Sequence, residues 1–258
     1  MTTFNQVAVA DVSPACPLCG DTGLAPFALG DWVQIDAGEW ACGLCGNGRA
    51  IAQDFEAAQA DKVRADLLAA AVIPERFAHT TLDTYLDLAR KQKSTGASKV
   101  DAARQVKHWM QKADPRWLYL CGPTGVGKTG LACAALQGVM GANYSGRFIS
   151  TFDMLADMRK RFGEVSDATA DAYADALAAV DVLVIDELHP IRVTEWTQQV
   201  LFSLLWRRDN SRKVTILTST LGLGDAELHR AVTEAGVRRI KGNALVVRID
   251  GNPLGFGQ

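Results

Sequence analysis

GPTGVGKT, residues 122–129, satisfies the pattern G-x-x-x-x-G-K-[ST] at every fixed position. The apolar run WLYLC (117–121) precedes it and the helix-forming run KTGLACAALQGVM (128–140) follows. A chance glycine-rich turn would lack that strand before and helix after, so the stretch reads as a phosphate-binding loop. Gly122, Gly125 and Gly127 let backbone amides come close to phosphate oxygens, and Pro123, Thr124, Val126 and Gly130 complete the loop. The helix N-terminus adds its dipole, Lys128 is placed for the β- and γ-phosphates, and the Thr129 hydroxyl for Mg²⁺. The expected ligand is ATP with Mg²⁺.

The next signal is VDVLVIDE (180–187), an apolar strand ending in two carboxylates. Asp186 would organise Mg²⁺ at the strand's C-terminal edge, and Glu187 would orient the attacking water. The alternative is that these acids merely start a helix. TILTST (215–220) ends another strand in Thr218, Ser219 and Thr220, each a candidate to meet the γ-phosphate or the water; such residues also serve as plain turn formers. With GRFIST (146–151) and the late run ALVVRID (244–250), these strands alternate with helical stretches at 128–141, 153–163 and 194–209. Continuous apolar strands alternating with helices predict an α/β fold with a parallel sheet covered on both faces.

The 258 residues leave room for this domain plus a small module. Net charge is −2, so any nucleic-acid contact must be a local patch. No apolar run is long enough to cross a membrane, and the first residues lack a secretory pattern, so an intracellular (cytoplasmic), reducing setting is expected. Residues 1–50 carry CPLC (16–19) and CGLC (42–45), a C-x₂-C…x₂₂…C-x₂-C arrangement. Four thiolates from Cys16, Cys19, Cys42 and Cys45 suit a closed structural zinc site, while disulfide or redox chemistry fits the compartment less well. Ala-rich residues 51–72 predict a helix within a linker of 51–75, ended by Pro74, with the ATPase domain over 76–258. Cys121 and Cys133 sit in apolar surroundings and read as small core residues.

IPERFAHTTLDTY (73–85), GPTGVGKT, FISTFDMLADMRKRF (148–162), VLVIDELHPIRVTEW (182–196) and TILTSTL (215–221) occur in an order that resembles the DnaC/DnaI/IstB group of short AAA+ ATPases. The cysteine-rich front followed by a linking helix resembles the helicase loaders of that group. The resemblance implies an AAA+ P-loop fold without a C-terminal lid and ATP held between neighbouring subunits, hence self-association through the ATP site. It implies an arginine supplied in trans, matched by Arg238 with Arg239 as the alternative, whose planar fork suits a transferring phosphate. It further implies a hexameric replicative DNA helicase and single-stranded DNA as partners, or in IstB-like relatives a transposase. Two departures stand out: Thr220 replaces a common Asn, which implies slow hydrolysis or a nucleotide-gated adaptor, and His189 replaces a small residue. Arg159, Lys160 and Arg161, with Phe152 and Phe162 nearby, are the candidate DNA contacts; a solvated basic stripe with core phenylalanines is the alternative.

Overall fold

The structure, a computed structural model, describes residues 16, 22, 24–25, 33–36, 39–43, 45–92, 96–112, 114–140, 144–164, 167–189 and 192–255. The chain divides into two compact units, Met1–Val63 and Arg64–Gln258. In the first, β1 (Leu24–Ala25), β2 (Val33–Asp36) and β3 (Glu39–Ala41) form a small antiparallel sheet in the order β1-β3-β2. Helix α1 runs from Gly46 to Ala70, so it begins directly after Cys45, earlier than the expected 51, and stops before Pro74.

The second unit is built on a parallel sheet of β4 (Trp117–Cys121), β5 (Gly146–Ser150), β6 (Val182–Asp186), β7 (Val214–Ser219) and β8 (Ala244–Arg248). Their order is β5-β6-β7-β4-β8, which places the phosphate-loop strand β4 two places from the acidic strand β6, with β7 between them. Every residue of β4 and β6 is buried, as expected for strands covered on both faces. Alternation of side chains then sorts them into two cores. Leu118, Leu120, Val182, Val184 and Ile216 pack with α4 (Lys128–Met140) and α3 (Gly96–Lys112). Trp117, Tyr119, Leu183, Ile185 and Leu217 pack on the other face with α5 (Thr151–Glu164), α7 (Glu195–Asn210) and α8 (Ala226–Asn243).

Helix starts follow local chemistry. Thr81 caps α2 (Leu82–Lys91) and Thr194 caps α7, each in a reciprocal box with a threonine three residues on. Helices α2, α3, α6 (Asp167–Ala179) and α8 lie outside the helical stretches expected from the sequence. Helix α8 contains a kink at Thr233, whose φ is 67°. No described helix is long and apolar enough to cross a membrane.

A fully buried Arg208 ties the end of α6 to β7. Its guanidinium donates to the carbonyls of Leu177 and Ala178 at 3.1 Å and of Val180 at 2.8 Å, and to Thr215 Oγ1 at 2.9 Å. Burial lowers its pKa to about 9, which leaves it charged at neutral pH. Replacing Arg208 by Ala strands several buried carbonyls, each worth about 1–3 kcal/mol when left without a donor. Urea unfolding should show a loss of at least about 3 kcal/mol; a loss below about 1 kcal/mol would mean that this tie is dispensable.

Candidate functional site

The phosphate loop joins β4 to α4 with Gly122, Gly125 and Gly127 all at positive φ. At Gly122 a Cβ would lie 2.0 Å from the Ile249 carbonyl oxygen, so glycine is required there by both conformation and space. Lys128 is buried, and its Nζ donates to the carbonyls of Gly122 and Pro123, each at 2.8 Å. Burial lowers its pKa, opposed by the charges of Asp186 and Glu187. The lysine thus lies over the mouth of its own loop with two acceptors that a phosphate can replace.

Thr129 and Asp186 meet as the sequence predicts. Thr129 Oγ1 donates to the two Asp186 carboxylate oxygens at 3.0 and 3.1 Å. A hydroxyl and a carboxylate side by side at the C-terminal edge of a parallel sheet are hard oxygen donors of the kind Mg²⁺ takes. The residues therefore fit the ion. Bound there, Mg²⁺ would neutralise charge on the β- and γ-phosphates.

Of the candidates Thr218, Ser219 and Thr220, the last lies just beyond β7, and Thr218 is the one whose hydroxyl reaches Asp186. Its buried hydroxyl donates to Asp186 Oδ1 at 2.6 Å and accepts the Glu187 N–H at 2.9 Å, while its carbonyl accepts the Leu188 N–H at 2.8 Å. Burial raises the Asp186 pKa, and the hydrogen bonds from Thr218 and Thr129 pull it back down. Glu187 has φ 53°, a left-handed conformation costing roughly 1–2 kcal/mol for a residue with a Cβ. The two bonds to Thr218 flank that position and hold it. The Glu187 side chain is exposed at the strand tip, where it can meet a water. Ser219 Oγ lies 3.5 Å from His189 Nδ1 and accepts the Leu221 N–H at 3.1 Å.

The remaining candidates separate. Arg239 pairs with Asp209 and lies 5.7 Å above the Phe202 ring, whereas Arg238 on the same helix is exposed. On α5, Arg159, Lys160 and Arg161 are exposed; Arg159 sits 5.1 Å from the Trp196 ring centre and Arg161 4.6 Å from that of Tyr173. Phe152 is 67% exposed, so it is not a core residue; the Phe162 side chain lies outside the described residues. Phe152, Arg159, Glu187, His189 and Arg192 line a groove of about 360 Å³. Cys121 and Cys133 are buried in the two cores, and burial raises both thiol pKa values.

In the first unit, Cys16, Cys42 and Cys45 place their sulfurs within 4.8 Å of one another, and the Cys16 and Cys42 sulfurs are 3.9 Å apart. A tetrahedral zinc with Zn–S of about 2.3 Å separates its sulfurs by about 3.8 Å, so the three thiols fit a thiolate metal site. The Gly48 N–H donates to Cys45 Sγ at 3.2 Å, and a Cβ at Gly48 would meet the Cys42 carbonyl at 2.0 Å. Cys19 lies outside the described residues.

Comparison with known proteins agrees with this geometry. The family described as IstB-like ATP binding protein matches residues 52–255. An ATP-binding protein of insertion sequence IS1162 from Pseudomonas fluorescens is 33% identical over 135 residues, which is 52% of this chain and 56% of that relative's length. The DnaC helicase loader superposes with a TM-score of 0.58 at 24% identity, covering 69% of this chain and all of its own. DnaI gives 0.54 at 19% over 71% of this chain and 95% of its own, and DnaA bound to AMPPCP and single-stranded DNA gives 0.55 at 20% over 70% and 52%. At these identities the structural matches establish the fold.

Thr218 yields a direct test. Thr218→Val removes the hydroxyl but keeps the shape, and should lower ATP turnover at least tenfold and raise the Mg²⁺ concentration needed for half-maximal rate. Thr218→Ser should restore most of both. Equal rates for Val and wild type would show that the clamp is not used.

Proposed function

The chain belongs to the IstB-like ATP binding protein family, and from that premise we propose that it hydrolyses ATP to load a hexameric replicative helicase onto single-stranded DNA. Lys128 holds the β- and γ-phosphates, Thr129 and Asp186 take Mg²⁺, and Glu187 aligns the water. Arg238 of a neighbouring copy completes the site, which makes assembly a condition of hydrolysis. Its exposure on α8 supports that role, as the ion pair of Arg239 with Asp209 argues against the alternative.

The observation that carries the loader reading is the thiol cluster in a unit of its own ahead of the ATPase. We assign it one zinc held by Cys16, Cys19, Cys42 and Cys45. A small module stapled by metal has a fixed surface that can grip another protein without a core of its own. DNA contact is assigned to the groove beside Glu187. There exposed Phe152 offers a stacking face, and Arg159 with Arg192 offers phosphate partners, with Lys160 and Arg161 further along α5. Its place beside the water-aligning carboxylate would link DNA to hydrolysis.

A transposition helper is the second reading, favoured by the relative from an insertion sequence. Capture by the full-length chain separates the two. The loader reading expects ATP-dependent retention of a purified hexameric helicase, lost in the Cys42→Ser/Cys45→Ser variant together with zinc, while ATP binding persists. Elemental analysis should find one zinc per wild-type chain. Retention of the insertion-sequence transposase and not the helicase would reverse the assignment; a wild-type chain purified without zinc would remove the basis of the module.

A further inference from the structure

After β8 the chain crosses back over the phosphate loop. Four hydrogen bonds fasten this strap, each to a different element. The Ile249 N–H donates to the Cys121 carbonyl at 2.8 Å, the Asp250 N–H to Ser98 Oγ at 3.0 Å, and Gln92 Nε2 to the Pro253 carbonyl at 2.6 Å. The fourth reaches the loop itself: the Leu254 N–H donates to the Gly125 carbonyl at 2.7 Å. Leu254 is 6% exposed, and a Cβ on Gly127 would lie 3.0 Å from its Cδ2. A Cβ on Gly125 would lie 3.2 Å from the Pro253 ring.

That fourth bond has a consequence for phosphate binding. In a trans peptide the carbonyl and the following N–H lie in one plane and point in opposite directions. Fixing the Gly125 carbonyl toward the strap therefore turns the Val126 N–H away from it. Gly125, at φ 82°, has little of its own to hold one orientation of this peptide. A phosphate cradle works only when its amides are already aimed, since each must otherwise be ordered on binding.

We propose that Leu254 is a positioning residue for the nucleotide's phosphates, acting through its backbone N–H, which fixes the Gly125–Val126 peptide so that the Val126 amide faces the cradle. Pro253 and Gln92 keep the strap in place. The role would belong to a segment remote in sequence from the phosphate motif and assigned no function by it. It rests on ATP binding and is independent of the choice between helicase and transposase.

Leu254→Pro deletes the donor, and Leu254→Ala keeps it while removing most of the side chain. Affinities for ATP and for inorganic tripolyphosphate, measured by calorimetry on full-length variants, should fall together in Leu254→Pro, about tenfold or more below Leu254→Ala. Gln92→Ala, which loosens the strap without touching the loop, should show a smaller loss for both ligands. Circular dichroism melts confirm that each variant is folded. In a folded Leu254→Pro chain, wild-type affinity would overturn the proposal, as would a loss no greater than that of Leu254→Ala. Loss of ATP but not tripolyphosphate binding would also overturn it, because the strap would then touch only the nucleoside. A wild-type chain that bound neither ligand would remove the nucleotide premise and the proposal with it.

Discussion

The site depends on one buried carboxylate. Asp186 ends the strand β6 and accepts hydroxyls from two neighbours, Thr129 at the start of α4 and Thr218 near the end of β7. Burial alone would favour its neutral form; the two donors favour the charged form that a divalent cation needs. The same bonds join the phosphate loop and β7 to the acidic strand. This works only in the observed strand order, with β7 between β4 and β6 and Leu120 in register with Thr218. A different order would leave Asp186 buried without those hydroxyls.

Strain at the strand tip belongs to the same arrangement. Glu187 takes a left-handed conformation next to Asp186, so two successive carboxylates leave the strand in different directions. One turns inward to Thr129 and Thr218, and the other is exposed. Thr218 supports both, with its hydroxyl on Asp186 and the Glu187 amide and its carbonyl on the Leu188 amide. Metal-holding and water-aligning roles can then sit on adjacent residues without competing for the same space.

Much of this was legible in the sequence because local spacing carries it. GPTGVGKT, VLVIDE and the two C-x₂-C pairs depend on residues within a turn or a strand of one another. What stayed hidden needs pairing at a distance. Nothing local marks Thr218 among its neighbours, because its bond to Asp186 follows from β7 lying beside β6 in the sheet. The strap from Leu254 to Gly125 joins segments far apart in sequence, and no periodicity announces it. The helices α3 and α8 carry their buried stripes largely on small residues set among charged ones, such as Ala102, Ala103 and Val106 in α3 and Ala231, Val232 and Gly236 in α8. Tertiary packing therefore holds them more than local pattern does. The resemblance favours Arg238 over its neighbour Arg239, but the physical difference between them, Arg239 paired with Asp209 and Arg238 exposed, depends on a partner 30 residues away.

In the proposed mechanism Glu187 aligns the water for ATP hydrolysis at a site whose binding parts lie elsewhere. Glu187→Gln keeps the size and the backbone position but removes the charge. Single-turnover ATP hydrolysis measured beside ATP affinity tests it most directly. If Glu187 aligns the water, the rate falls by about a hundredfold or more, the usual scale for losing a positioned base, with affinity within about threefold of wild type. A variant that hydrolyses ATP at the wild-type rate would contradict it.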